Sequence, residues 1–296
     1  MNDNVVTGRV IKGIGGFYYV AVADTVYECK ARGKFKNEKV KILVGDIVDV
    51  DVIDADSKVG NIVHLHLRKN KIIRPEMSNI DRLFLVSALS RPAADTMNLD
   101  KMLVYYEVAG IETALVFNKC DESVQAVTDE LKRIYRDAEI DLYFISARTG
   151  EGMARLAASM TGGLSVLAGP SGVGKSAIMN YLLGERKMLT GGISKKIGRG
   201  RHTTRHSELF LYAPDAYVAD TPGYGHVPTA ALAAEDLGFY YPEFSAYRHE
   251  CKFNMCTHRH EPSCAVRDAV EAGRIEKRRY EQYQRLFEEL KGRQKR

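Results

Sequence analysis

The chain has 296 residues, of which 45% are hydrophobic and 27% charged, an ordinary globular composition with room for more than one domain. Its formal net charge of +5 permits a nucleic-acid partner without requiring one. The start, MNDNVVTGRV, lacks the basic lead and apolar run of a secretory signal, no apolar stretch is long enough for a bilayer, and five cysteines are an odd number, so the expectation is a cytoplasmic protein with no membrane partner and no disulfide framework.

Residues 1–70 read as short strands, TGRVIKG, GGFYYVAVA, TVYECKA, KILVGDIVDVDVI and NIVHLHL, separated by glycine and charge clusters. That density of strands predicts a small closed β-barrel of the OB-fold kind. KARGKFKNEK and RKNKIIR are basic segments that fit either solvated loops or an RNA platform. From about residue 80 strand and helix patterns alternate: RLFLVSA, LDKMLVYYEVAG, TALVFNK, SVQAVTDELKRIYRDA, DLYFISA, GMARLAASM, GLSVLAG and KSAIMNYLLG, then ELFLYA and AYVAD as strands. This predicts a doubly wound α/β domain over residues 71–228. Over 229–296 the strand pattern is lost. AALAAEDLGFYYPEF, CAVRDAVEAG and RIEKRRYEQYQRLFEELKG read as helices around a Cys/His cluster.

The chemistry lies in short motifs at the predicted strand ends. Gly169-Pro170-Ser171-Gly172-Val173-Gly174-Lys175-Ser176 has the form G-x-x-x-x-G-K-S between a strand and a helix, and Ala177 continues into that helix. Glycines let backbone N–H groups converge on phosphate oxygens, and the helix N-terminus adds a favourable dipole. Lys175 would reach the outer phosphates and the Ser176 hydroxyl would hold magnesium. Asn118-Lys119-Cys120-Asp121 closes an apolar strand. Its Asp121 carboxylate can accept from both the ring N–H and the exocyclic amine of guanine, whereas adenine lacks that amine. Ser146-Ala147 ends the next strand, where a second base-contacting loop belongs.

Asp220-Thr221-Pro222-Gly223 is a D-x-x-G element. Asp220 would hold magnesium through water and the Gly223 N–H would meet the γ-phosphate. Thr204 is the candidate to close on magnesium, with Thr203 as the alternative. The base motifs precede the phosphate loop, the reverse of the usual GTPase order, so the domain reads as circularly permuted. Permutation leaves a site intact where the original termini were close.

Many GTPases place a glutamine after D-x-x-G to orient the attacking water, whereas this chain has Tyr224. His202, beside the switch threonines, is the best candidate for that task. The catalytic set is therefore His202, Thr204 and Lys175. Further on, Cys251, Cys256 and Cys264 with one imidazole, from His258, His249 or His260, offer the tetrahedral donors of a structural zinc site. Arg248, Lys252, Arg259, Arg267, Lys277, Arg278 and Arg279 flank it and fit either a solvated helix face or contact with an RNA backbone.

Taken together, NKCD, SARTG, GPSGVGKS, GRGRHTT, DTPG and the Cys/His cluster resemble the bacterial circularly permuted GTPases called RsgA, over nearly the whole chain. The resemblance implies a barrel, a permuted GTPase domain and a zinc domain in that order. It also implies GTP as substrate, magnesium and one zinc, and a monomer that binds the small ribosomal subunit and its rRNA. Late maturation of that subunit, with GTP hydrolysis stimulated by it, is the implied function. The family's C-x-x-x-x-C-x-H spacing selects His258, and the resemblance points to His202 as well. The family commonly reads D-T-P-G-F-S where this chain has Tyr224-Gly225-His226. A pure RNA-binding module and a P-loop kinase or ATPase are the competing classes, opposed by the intact Lys175, Ser176 and Asp220 and by N-K-x-D respectively.

Overall fold

In the computed structural model residues 4–73, 75–189, 208–220 and 232–294 are described. The chain divides into two compact units, each made of two stretches: Met1–Phe84 with Met153–Tyr224, and Leu85–Gly152 with Gly225–Arg296.

The first unit opens with five strands, β1 (Val5–Ile14), β2 (Phe17–Val22), β3 (Thr25–Ala31), β4 (Ile47–Asp54) and β5 (Val59–Leu65). They close into a barrel of order β1-β2-β3-β5-β4, with β3 and β5 parallel and the other pairs antiparallel. All five expected strands are present, the fourth only from Ile47, because the chain turns at Gly45 before it. Alternation turns Val10, Val20, Cys29, Val48, Val50 and Ile62 inward, where each is fully buried. The basic KARGKFKNEK segment holds a short helix, α1 (Gly33–Asn37), whose Phe35 joins this core. RKNKIIR contributes a hairpin strand, β6 (Lys71–Ile73), paired with β7 (Glu76–Ser78). Neither element shows in the sequence pattern, because both are too short to display a period.

Asp46, fully buried, fastens the barrel to that hairpin. It accepts from Leu43 N–H at 2.7 Å, from Ser78 Oγ at 2.5 Å and from Arg68 at 2.7 and 2.8 Å. Gly45 beside it sits at φ 96°, and a Cβ there would lie 2.1 Å from the Ser78 carbonyl oxygen, so only glycine fits.

The same unit carries α4 (Met153–Ala158), β11 (Gly163–Ala168), α5 (Lys175–Leu189), β12 (Phe210–Ala213) and β13 (Ala216–Asp220). β11 and β13 are parallel, and β12 is antiparallel to β13. The barrel is joined to this part through Leu209 N–H to the Ile11 carbonyl at 2.9 Å and Lys12 to Glu208 at 3.1 Å.

β8 (Arg82–Ala88) runs from the first unit into the second. The second unit holds α2 (Thr96–Val108), β9 (Glu112–Asn118), α3 (Gln125–Ile134) and β10 (Leu142–Phe144), with β9 and β10 parallel. Helices α6 (Ala265–Glu271) and α7 (Lys277–Gln294) belong to it too. Among the described residues no strand follows β13. The stretch expected as one helix over AALAAEDLGFYYPEF is instead two 3-10 turns, Ala234–Tyr240 and Pro242–Phe244, with Ala230 and Ala231 outside the described residues. Gly238 and Pro242 weaken an α-helix there, and packing decides the rest. Leu237, Tyr241 and Phe244 pack with Val104 of α2 and with Tyr283, Leu286 and Phe287 of α7 in one core. No helix among the described residues is long and apolar enough to cross a membrane.

Candidate functional site

In the first unit the phosphate loop follows β11 and opens α5. Gly169, Gly172 and Gly174 sit at φ 155°, 83° and 98°, the positive values that let successive N–H groups turn to one side. Val173 is buried beneath the loop. Lys175 is 8% exposed, and its ammonium donates to the carbonyls of Gly169 at 2.8 Å and Pro170 at 3.1 Å. The loop thus curls around a fixed cation, a fitting cradle for phosphate. Ser176 and Ala177 are exposed in the first turn of α5. Asp220 ends β13, and its backbone is in register with Leu167 of the parallel β11. The D-x-x-G element and the phosphate loop therefore leave neighbouring strands at their carboxyl ends, where open α/β sheets bind ligands. His202, Thr203, Thr204, Gly223 and Tyr224 lie outside the described residues.

The base motifs lie together in the second unit, at the carboxyl ends of the parallel β9 and β10. Asn118 is 3% exposed, and its Oδ1 accepts from the Ala147 N–H at 3.0 Å, so one motif holds the other. Cys120 N–H donates to the Ile145 carbonyl at 3.0 Å. Ser146 is fully buried and its Oγ accepts from Thr149 N–H at 3.1 Å. Lys119 takes a left-handed backbone, φ 65°, and its ammonium donates to the Arg91 carbonyl. A hydrogen bond from Ser146 and then one from Arg148 hold the Asp121 carboxyl below its ordinary range. Asp121 is thereby an ionised acceptor, the state that two guanine N–H donors require. Arg148, whose Nε lies 2.8 Å from the Asp121 carboxylate, stands in the SARTG motif with no role assigned from sequence. Its position just after Ser146-Ala147 was the available signal.

The second unit also gathers Cys251, Cys256, His258 and Cys264, with their donor atoms all within 4.8 Å of one another. His249 and His260 are not in this group. His258 Nδ1 lies 3.5 Å from the sulfurs of both Cys251 and Cys264, which are 3.9 Å apart. A tetrahedral ion at ~2.3 Å from sulfur and ~2.0 Å from nitrogen has edges of about 3.8 Å between sulfurs and about 3.5 Å between sulfur and nitrogen. The residues fit zinc. Glu261 clamps the loop: its carboxylate accepts from Thr257 N–H and Oγ1, Arg259 N–H and His260 N–H at 2.6–3.1 Å. Burial would raise the Glu261 carboxyl, but these bonds outweigh it and bring it down to about 2. From α7, Tyr280 and Tyr283 donate to the carbonyls of His258 at 2.7 Å and Thr257 at 2.6 Å. No sequence motif marks these clamps: Tyr280 and Tyr283 meet partners 22 and 26 residues away that only the fold brings near, and Glu261 acts through backbone N–H groups of its own loop.

One basic residue needs correction. Arg279 is expected on a solvated or RNA-facing surface, yet its side chain is 3% exposed, with Nε 2.7 Å from Glu243 and Nη1 paired to Asp100 of α2. Burying the apolar face of α7 carries this guanidinium inside, where two carboxylates meet it. Arg278 pairs with Glu130 and Arg259 with Glu288.

Comparison with known proteins settles the kinship. The family model described as RsgA GTPase matches residues 65–229, and the RsgA N-terminal domain model matches 7–62. The chain belongs to the RsgA GTPase family. A relative from Agathobacter rectalis named small ribosomal subunit biogenesis GTPase RsgA is 43% identical over 98% of this chain and 99% of its own length. One of the same name from Caldanaerobacter subterraneus is 40% identical, covering 98% of each. Among solved structures, YjeQ from Thermotoga maritima matches with a TM-score of 0.83 and 32% identity, covering 97% of this chain and 99% of that one. YloQ, described as a circularly permuted GTPase, matches at 0.82 and 30%, covering 99% and 98%. The family's GTPase activity and permuted fold, with N-K-x-D and S-A before the phosphate loop, are therefore those of this chain.

Proposed function

We propose that this protein binds the small ribosomal subunit and its rRNA and acts in late maturation of that subunit, with GTP hydrolysis stimulated by the subunit. The observation that carries the reading is the near full-length match, barrel to last helix, to relatives named for small-subunit biogenesis. We assign three functional segments: an RNA-binding barrel over 1–70, the GTPase over 71–228 and a zinc-binding helical segment over 229–296. The protein works as a cytoplasmic monomer.

Within the GTPase, Asn118, Lys119, Asp121, Ser146 and Ala147 recognise guanine, and residues 169–177 with Asp220 and Gly223 bind the phosphates. Lys175 places its cation against the outer phosphates, where charge builds in the transition state. Ser176 and Thr204 would hold magnesium, which neutralises phosphate charge when bound. His202 orients the attacking water and takes the place of the missing glutamine. Cys251, Cys256, His258 and Cys264 hold one zinc, which staples a segment with little core of its own. Catalysis of this kind rests on positioning and charge stabilisation, so a partner that contributes to either would stimulate turnover.

GTP turnover with and without isolated small subunits, with ATP as the control, tests this reading. Slow GTP hydrolysis strongly raised by subunits and no ATP turnover is the expected result. GTP turnover that subunits leave unchanged removes the proposed partner.

A further inference from the structure

The barrel carries a second cluster of metal-type donors. Thr7 of β1 pairs in register with Asp49 of β4, and Asp49 pairs with His64 of β5. These three side chains therefore form a row across three adjacent strands. His66 follows His64 by two positions and faces the same side. Its N–H donates to the Ile47 carbonyl at 3.0 Å, which continues the pairing just beyond β5. His66 Nε2 lies 2.8 Å from Asp49 Oδ1, and the Thr7 hydroxyl donates to the same oxygen at 2.7 Å. The two imidazoles meet edge to face with centroids 5.0 Å apart. One donor atom from each of Asp49, His64 and His66 lies within 4.8 Å of the others.

We propose that Asp49, His64 and His66 bind a divalent transition-metal ion of the zinc class on the barrel surface. Two imidazoles and one carboxylate are a donor set that such ions take, and hard cations such as magnesium prefer oxygen alone. A plain His–Asp hydrogen bond needs one imidazole, but here a second converges on the same carboxylate. The Thr7 hydroxyl, bonded to Asp49 Oδ1, orients that carboxylate, as outer-shell partners of metal ligands do. Closure of the barrel fixes all three backbones, so little ordering is required on binding. His64 is exposed and the His66 side chain is 42% exposed, so the remaining coordination positions face solvent. The site is chemically separate from the Cys/His cluster, which offers three sulfurs.

Full-length, tag-free protein equilibrated with ZnCl2 and then dialysed gives the test, read as bound zinc per chain by elemental analysis. Wild type should hold one equivalent more than the His64→Ala, His66→Ala double variant. Cys256→Ser should lose a different equivalent, so the two losses add. Thr7→Val should keep the stoichiometry and weaken the barrel site by about tenfold. Thermal melting by circular dichroism checks that the double variant folds, and Asp49→Asn replaces it if it does not. Equal zinc content in wild type and in a folded ligand variant overturns the proposal.

Discussion

Two motif groups, the phosphate loop in one compact unit and the N-K-x-D and S-A pair in the other, are held in shape by different means. Around the phosphate loop the backbone does the work: three glycines at positive φ, a buried Val173, and a lysine that bonds the loop's own carbonyls. Around the guanine motifs the side chains do it, with Asn118 bonded to Ala147 N–H and Asp121 to Arg148. The groups also differ in company, since the first shares its compact unit with the barrel and the second with the Cys/His segment. A site shaped by backbone tolerates few residue types but shows plainly in sequence. A site shaped by side chains is tuned by residues far along the chain.

The largest effect should come from removing the cation of the backbone-built group. Lys175→Ala is expected to lower GTP turnover by on the order of 10²–10³ in kcat with an unchanged melting temperature. Normal turnover would mean that the loop's amides suffice without the lysine.

Next in size is the anchor of the other unit. Arg279→Met leaves Asp100 and Glu243 buried without their cation, which should cost about 3–5 kcal/mol in urea unfolding. Burial pushes the Asp100 carboxyl up and Arg279 opposes this, so loss of the guanidinium should also favour the protonated acid. A small change would show that water reaches these groups.

The smallest effect concerns acid. Because the folded Glu261 carboxyl sits at about 2, below its ordinary value, the clamp's contribution to stability is complete above pH 5 and fades as pH falls toward 2. Glu261→Gln should remove that part of the acid dependence and lower stability at pH 7 by about 1–2 kcal/mol. An unchanged profile from pH 5 to 3 would assign the acid sensitivity elsewhere.

Legibility in the sequence follows the same division. The barrel strands and the α/β alternation were readable because each carries its own period, and the phosphate loop because its glycines and lysine are contiguous. The three cysteines of the Cys/His cluster were readable from donor chemistry and spacing, whereas the choice of His258 over His249 and His260 came from the family resemblance. Arg279 was misread because its partner Asp100 lies 179 residues away, and a cation on an amphipathic helix looks solvated until that partner is known. Arg148, Glu261, Tyr280 and Tyr283 were missed because each acts on another residue's backbone or carboxylate rather than on a ligand. The 3-10 turns over 234–244 combine a local signal, Gly238 and Pro242, with packing against α2 and α7 that the sequence pattern does not display.

The most direct test of the division between base reading and phosphate holding is turnover of GTP and of xanthosine triphosphate by Asp121→Asn. Xanthine carries a carbonyl where guanine carries its amine, so an amide at position 121 can donate where the carboxylate could only accept. The account predicts that Asp121→Asn loses GTP turnover and gains xanthosine triphosphate turnover, while Lys175→Ala loses both. Wild-type GTP turnover by Asp121→Asn would contradict it.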